Sequence, residues 1–417
     1  MEYGLIFIVL ACAVGLWMTW GIGANDLANI MSTAMASKSI TVKQALIIAI
    51  VFEIAGAFLG GAGVTETIRS GIIDIELLKD SPQLLVYGML SVLFAGAVWI
   101  TLASYLGMPV SITNAIIGAL VGVGAIMLGF NAIHWRTVGY IAISWVSSPT
   151  IACVTAFLLF ISIKRSILGT DNPFRAAKKY VPIYLLLVGI VLSFMTTIKA
   201  MDHFHIHRDW LINIIAVIGT SIIVVLLGLY SMKRVRLKIK LTRHSQFLHI
   251  ENMFSVLMAF TGCAMVFAHG SNDVAIAVGP VSGVVSLVSE AGGPMQDGAI
   301  LNSMLILGCF GVILGLFMYG RKVIATVGTA ITTLTPSRAF AATLAAASTV
   351  VVSTSTGIPV SATQTLVGAV FGVGLARGID ALNLNVIRNI FMSWIITIPA
   401  AALFATLFFI VLRQIYG

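Results

Sequence analysis

Charge is what this sequence has least of. Of its 417 residues only 9% are Asp, Glu, Lys or Arg, against 59% that are hydrophobic; a soluble chain carries about 25% charged residues. A water-soluble globular fold is excluded. Apolar stretches of 18 residues and more recur along the chain, as in a polytopic helical membrane protein. They are continuous rather than alternating, which argues against a β-barrel. A basic leader is missing too: Glu2 is followed by an apolar run to Trp20, read as a mature span rather than a cleaved signal peptide. Cysteine is scarce. Cys12, Cys153, Cys263 and Cys309 lie far apart in apolar spans without metal-ligand spacing, so they are read as small packing residues. The formal charge of +9 does not point to nucleic acid, because the excess sits in a few loops, where it reports topology.

What the chain does have, it has twice. Gly107-Met108-Pro109-Val110-Ser111-Ile112-Thr113-Asn114 runs on to Gly124, and Gly357-Ile358-Pro359-Val360-Ser361-Ala362-Thr363-Gln364 runs on to Gly374. Ten of those eighteen positions are identical. Upstream, Gly23-Ala24-Asn25-Asp26 is matched by Gly270-Ser271-Asn272-Asp273, and Trp145 is matched by Trp394. Two copies of one unit in an apolar chain are the mark of a secondary transporter with its site between the repeats.

The expected fold is an all-α membrane protein of about 12 transmembrane helices. Spans are drawn near 4–36, 42–62, 83–105, 107–130, 133–163, 181–199, 211–230, 250–278, 296–320, 338–355, 357–376 and 385–412. The loops 164–180 (Lys164, Arg165, Arg175, Lys178, Lys179) and 231–248 (Lys233, Arg234, Arg236, Lys238, Lys240, Arg243) are basic, which assigns them to the cytoplasm. The segment 200–210 then faces out, with Arg208 balanced by Asp202 and Asp209. Lys38 and Lys43 follow the first Asn-Asp motif, whereas Glu290 and Asp297 follow the second. One hairpin later the bias reverses, with Arg321, Lys322 and Arg338 in the second half. The halves therefore have opposite orientations: residues 1–165 form a first repeat of five spans, 166–248 two linking spans, and 249–417 an inverted repeat of five, with both termini outside. Pro109 and Pro359 leave 107–130 and 357–376 readable as re-entrant hairpins, although span parity favours crossing.

The chemistry lies in the repeated motifs. Asp26 and Asp273 are carboxylates at membrane depth, which cost at least about 2.5–3.5 kcal/mol to insert and so mark function. Gly21, Gly23 and Gly270 allow a helix break beside Asn25 and Asn272; the freed carbonyls, together with the aspartate, would ligate a small cation. Helix capping is the structural alternative. Ser111, Thr113 and Asn114, and their counterparts Ser361, Thr363 and Gln364, follow a proline and open an apolar helix. Hydroxyls, an amide and free N–H groups there suit an oxyanion; N-capping alone would also use the hydroxyls. Glu53 stands alone in an apolar run, as a cation or proton site or a charge-relay partner, with a protonated structural residue as the alternative, and aligns with Gly308 in the other half. These regions hold three carboxylates and no Lys or Arg. An anion bound there needs accompanying cations, so cation symport is expected rather than uniport. His203, His205 and His207 are read as solvated loop residues, the run 233–243 as a topology signal that could also bind anionic lipid, and glycine pairs such as Gly118/Gly122 and Gly368/Gly372 as close-packing positions.

These motifs resemble the inorganic phosphate transporter (PiT) family. Gly23-Ala24-Asn25-Asp26-Leu27-Ala28-Asn29 looks like its first signature, and Phe267-Ala268-His269-Gly270-Ser271-Asn272-Asp273-Val274 its second. Phe52-Glu53, Glu66–Asp74, Pro109-Val110-Ser111, Pro359-Val360-Ser361, Trp145–Pro149 and Arg388–Phe391 also fit. The resemblance implies a twelve-span, inverted-repeat carrier of the plasma membrane (a cell inner membrane) that takes up phosphate. The wording of the first signature looks like the sodium-dependent branch. By matching positions Asp26, Asp273 and their Asn neighbours would hold Na+, and Ser111, Thr113, Ser361 and Thr363 the phosphate. Asn114, Gln364 and Ile276 depart from the family pattern, which leaves proton coupling, or sulfate or another oxyanion, as the runner-up. No enzyme activity and no cofactor beyond Na+ as coupling ion are expected. Partners are phosphate, Na+ and the lipid bilayer, not nucleic acid, and a homodimer is admissible. An intramembrane aspartyl protease built on Asp26 and Asp273 would leave the duplicated hydroxyl motifs without purpose. A channel would not need the broken, inverted architecture.

Overall fold

The computed structural model describes residues 3–78, 81–203, 210–233, 243–290, 297–327 and 333–417. Arg208, Asp209, His205, His207, Arg234, Arg236, Lys238 and Lys240 lie outside them. The described residues form thirteen helices: α1 (Gly4–Ala36), α2 (Val42–Gly60), α3 (Ala62–Ser70), α4 (Pro82–Tyr105), α5 (Ile112–Leu128), α6 (Trp135–Leu168), α7 (Pro173–His203), α8 (Trp210–Lys233), α9 (Ser245–Ser289), α10 (Asp297–Val327), α11 (Pro336–Ser355), α12 (Ala362–Arg377) and α13 (Leu384–Tyr416). Nine of these are long and apolar enough to cross a membrane, and the chain is a multi-pass membrane protein.

The two ends of the molecule differ. At one, Tyr87 donates a hydrogen bond to the carbonyl of Tyr416, whose ring packs 5.4 Å from Tyr3. At the other lie Lys38 and Ser231 beside Asn252, and Phe174 against His249; Lys43, Lys178, Lys179 and Lys233 belong to this basic end. Helices α4 and α5 form a hairpin entering from the tyrosine end. Helices α11 and α12 form a second, entering from the basic end, where Ser337 donates to Glu251 and Arg377 to Thr333. The hairpins meet tip to tip, Thr113 donating to the carbonyl of Val360 at 3.0 Å. Two hairpins that enter from opposite ends and touch cannot each cross. The expected crossings at 107–130 and 357–376 are therefore replaced by re-entrant arms. Parity gave no warning, because a two-armed hairpin returns the chain to its own side whether it crosses or not.

Glycine sets the packing. A Cβ on Gly118 would lie 2.5 Å from the carbonyl oxygen of Ile398, and one on Gly122 2.8 Å from Ala402, so α5 lies against α13 backbone to backbone. In the other half Gly368 meets Pro149 and Gly372 meets Cys153, placing α12 on α6. The matched contacts pair Trp145 with Trp394 as the sequence expects, and each half's hairpin leans on the other half's last long helix. Gly372→Val would drive a Cβ to 2.1 Å from the Cys153 carbonyl. It is expected to lower stability by about 1–3 kcal/mol, read as a lower melting temperature in detergent.

Candidate functional site

The glycines of the Asn-Asp motifs do not break their helices. In α1, Gly23–Leu27 forms one π-helical turn, and in α9 Gly270–Val274 does the same. Both helices continue through it. A π-turn inserts a residue into an otherwise regular helix and is a recurrent device at functional sites. The glycines serve close approach instead. A Cβ on Gly23 would sit 1.8 Å from the carbonyl oxygen of Val312 in α10, and one on Gly270 would sit 2.3 Å from that of Glu53 in α2. These equivalent contacts also correct the repeat register: Val312, not Gly308, is the counterpart of Glu53, one helical turn away.

Each widened turn presents Asn and Asp to a hairpin tip. Asn25 donates to the carbonyl of Met108 at 3.1 Å and to Ser104 at 3.2 Å, and accepts from the Val110 N–H at 3.5 Å. Asn272 brackets Val360 in the same way, accepting from its N–H at 3.1 Å and donating to its carbonyl. The asparagine side chains thus hold the tips by backbone hydrogen bonds. The tips turn sharply through Gly107 and Gly357, with φ of 66° and 73°, a left-handed backbone that glycine adopts without Cβ strain. Helices α5 and α12 then begin with Ser111 and Ser361 as N-caps, accepting from the N–H groups of Asn114 and Gln364 at 3.2 Å each. The capping alternative therefore holds for both serines in this structure.

The halves are joined across the tips. Thr363 of α12 donates to Asp26 Oδ1 at 2.8 Å, and Asn114 donates to the Trp394 carbonyl at 3.5 Å. Ser393 donates to the carbonyl of Pro109. One hydroxyl expected to face an anion thus bonds one carboxylate expected to face a cation. All of Asn25, Asp26, Glu53, Ser111, Thr113, Asn114, Asn272, Asp273, Ser361, Thr363 and Gln364 are buried, at most 2% exposed, and all fall around the meeting tips.

His269 is the residue that the charge inventory missed. Its Nδ1 is 2.6 Å from Glu53 Oε1, and its Nε2 is 3.1 Å from Asp273 Oδ2, a charge contact outside hydrogen-bond geometry. The ring is fully buried between the two acids. Only Lys and Arg were counted as compensating groups, yet an ionisable side chain four residues before an intramembrane Asp was signal enough. The first half has Ile22 at the matching position, so the Glu–His pair exists once. Asp26 Oδ2 and Glu53 Oε2 accept no hydrogen bond, nor does Gln364 Oε1. Buried carboxylate oxygens in this condition are acceptors suited to a cation. The facing starts of α5 and α12 supply positive helix ends nearby. Three carboxylates against one histidine still leave acid in excess.

The sequence profile of the phosphate transporter family matches residues 22–405. A provisionally named phosphate permease of Haemophilus influenzae is 45% identical over 416 residues, spanning 100% of this chain and 99% of that protein. A chloroplastic inorganic phosphate transporter of Arabidopsis thaliana is 36% identical, over 94% of this chain and 70% of that protein. Among solved structures, one described as the sodium-dependent phosphate transporter superposes with a TM-score of 0.88 at 35% identity, covering 98% of this chain and 100% of that one.

Proposed function

This chain belongs to the phosphate transporter family, and from that premise we propose that it imports phosphate by Na+ symport across the plasma membrane, alternating access to one site at the interface of two inverted repeats. The observation that carries the coupling is the hydrogen bond from Thr363 to Asp26. It ties the hairpin that would hold the anion to the carboxylate that would hold the cation, so occupancy of one bears on the other. The charge balance supports the same reading: a phosphate entering an acid-rich, water-poor site requires cations to enter with it. Hairpin α11–α12 is tied at its tip to α3 and α7, Thr67 donating to the Gly357 carbonyl at 2.8 Å and Lys199 to that of Thr354 at 3.3 Å.

Uptake of radiolabelled phosphate into proteoliposomes tests this. An inward Na+ gradient should drive it, a choline gradient should not, and sulfate should not compete. Uptake that follows a pH gradient instead would move the coupling to protons and to the Glu53–His269 pair. In the same assay Ser361→Ala is expected to raise the half-saturating phosphate concentration about fivefold, the equivalent of about 1 kcal/mol for one hydrogen bond. An unchanged value would leave Ser361 a capping residue only.

A further inference from the structure

A cavity of about 540 Å³ opens at the basic end, well away from the hairpin tips, between α2, α8, α9 and the turn after α1. Its wall is graded. Lys38, Ser39, Gln44, Ser231 and Asn252 line it, all near the end of the molecule where their helices start or stop. Deeper in, α2 contributes Ile47 and Ile48, and α9 contributes Val256, Ala259 and Phe260. Residues 252, 255, 256, 259 and 260 form one stripe of α9, and 44, 47 and 48 one stripe of α2, so the slot runs along both helices. From Asn252 to Phe260 it descends about 12 Å at the α-helical rise. Ile47 is 52% exposed, so the slot opens to the side, toward lipid. Among the described residues no carboxylate lines it, and the exposed Lys43 and Lys233 lie at the same end. Lys38 is the one described non-glycine residue with positive φ, 59°. Its N–H bonds to Met35 O and that of Ser39 to Ala34 O, a tight closure of α1 that sets the lysine at the rim.

A cationic, hydrogen-bonding mouth at interface depth over an apolar trough matches an anionic phospholipid. Inorganic phosphate has no use for the trough, and a zwitterionic lipid no use for a lysine at a mouth with no carboxylate among its described lining residues. We propose that this cavity seats one anionic phospholipid, its phosphate at Lys38 and Asn252 and one acyl chain between Ile47 and Phe260. The helices that wall it carry Asp26 (α1), Glu53 (α2) and Asp273 (α9), so the bound lipid braces the helices that position the site.

The test is native mass spectrometry of the purified full chain exchanged into detergent containing phosphatidylglycerol or phosphatidylcholine. Wild type is expected to retain one phosphatidylglycerol and to show no such preference for phosphatidylcholine. Lys38→Glu should lower its occupancy about tenfold, and Lys38→Arg should keep it. Ala259→Trp, which fills the trough, should also release it; because that variant risks misfolding, the exposed Lys38→Glu decides alone where it does not fold. Equal phosphatidylglycerol occupancy in wild type and Lys38→Glu would overturn the proposal. So would displacement of the bound lipid by millimolar inorganic phosphate, or a dimer that Lys38→Glu dissociates, which would make a second copy the occupant. Binding is read without transport, so its failure leaves the symport reading standing, and the reverse holds too.

Discussion

Asp26→Asn is expected to reduce sodium-driven phosphate uptake by at least about 100-fold while the protein still folds. The amide keeps the size of the carboxylate, and its oxygen can still accept from Thr363, so the link between α1 and the second hairpin survives. What disappears is one full charge at an oxygen, Oδ2, that accepts no hydrogen bond among the described residues. A hundredfold loss corresponds to about 2.7 kcal/mol, a modest share of what a buried charge contributes to holding a cation in a low dielectric. Uptake in proteoliposomes, with size-exclusion profiles to establish folding, checks this. Uptake within twofold of wild type would remove Asp26 from the coupling site.

The second large effect concerns stability. His269→Leu is expected to destabilise the protein by about 3–5 kcal/mol, the cost of removing one partner from a buried ionic cluster. The leucine would leave the buried Glu53 and Asp273 facing each other across an apolar side chain, with Asp26 in the turn beyond. His269→Gln should cost less, because its amide can still donate to one carboxylate. Thermal unfolding followed by tryptophan fluorescence reports both. A His269→Leu melting temperature equal to that of wild type would mean that the 2.6 Å contact to Glu53 carries no net stabilisation. A glutamine variant as damaged as the leucine variant would place the effect in the ring's shape rather than in its hydrogen bonding.

Much of the site was legible because the chain repeats itself. Asn25-Asp26 and Asn272-Asp273, and the Pro-Val-Ser-x-Thr tips, were found by spacing alone, and the structure brings them to one buried place. Apolar runs predicted the helices, and paired glycines marked close-packing positions, though not the partners that the glycine-to-backbone contacts reveal, α13 for α5 and α6 for α12. Three things were not legible. A π-turn and a helix break share the same glycines in sequence; only the Val312 carbonyl oxygen, 1.8 Å from where a Cβ on Gly23 would sit, shows that the glycine is there for packing. Whether a hairpin crosses or re-enters depends on which tip meets which, a long-range contact such as Thr113 to Val360 that no local pattern encodes. The partner of Glu53 is 216 residues away, and sequence separation hid what the motif itself displayed. The asparagines changed meaning as well. Read as cation ligands, they spend their side chains on the backbone of the tips, so whatever loosens Asn25 from Met108 or Asn272 from Val360 would free a hairpin.

The proposed symport requires cation and anion to share one coupled site. By linkage, a cation that binds beside the anion must tighten it, and the anion must tighten the cation by the same factor. The most direct measurement is the phosphate dissociation constant of the purified protein by calorimetry, in sodium and in choline at equal ionic strength. Binding at least about tenfold tighter in sodium is expected, with loss of that difference in Asp26→Asn. Phosphate binding of equal strength in sodium and choline would contradict it.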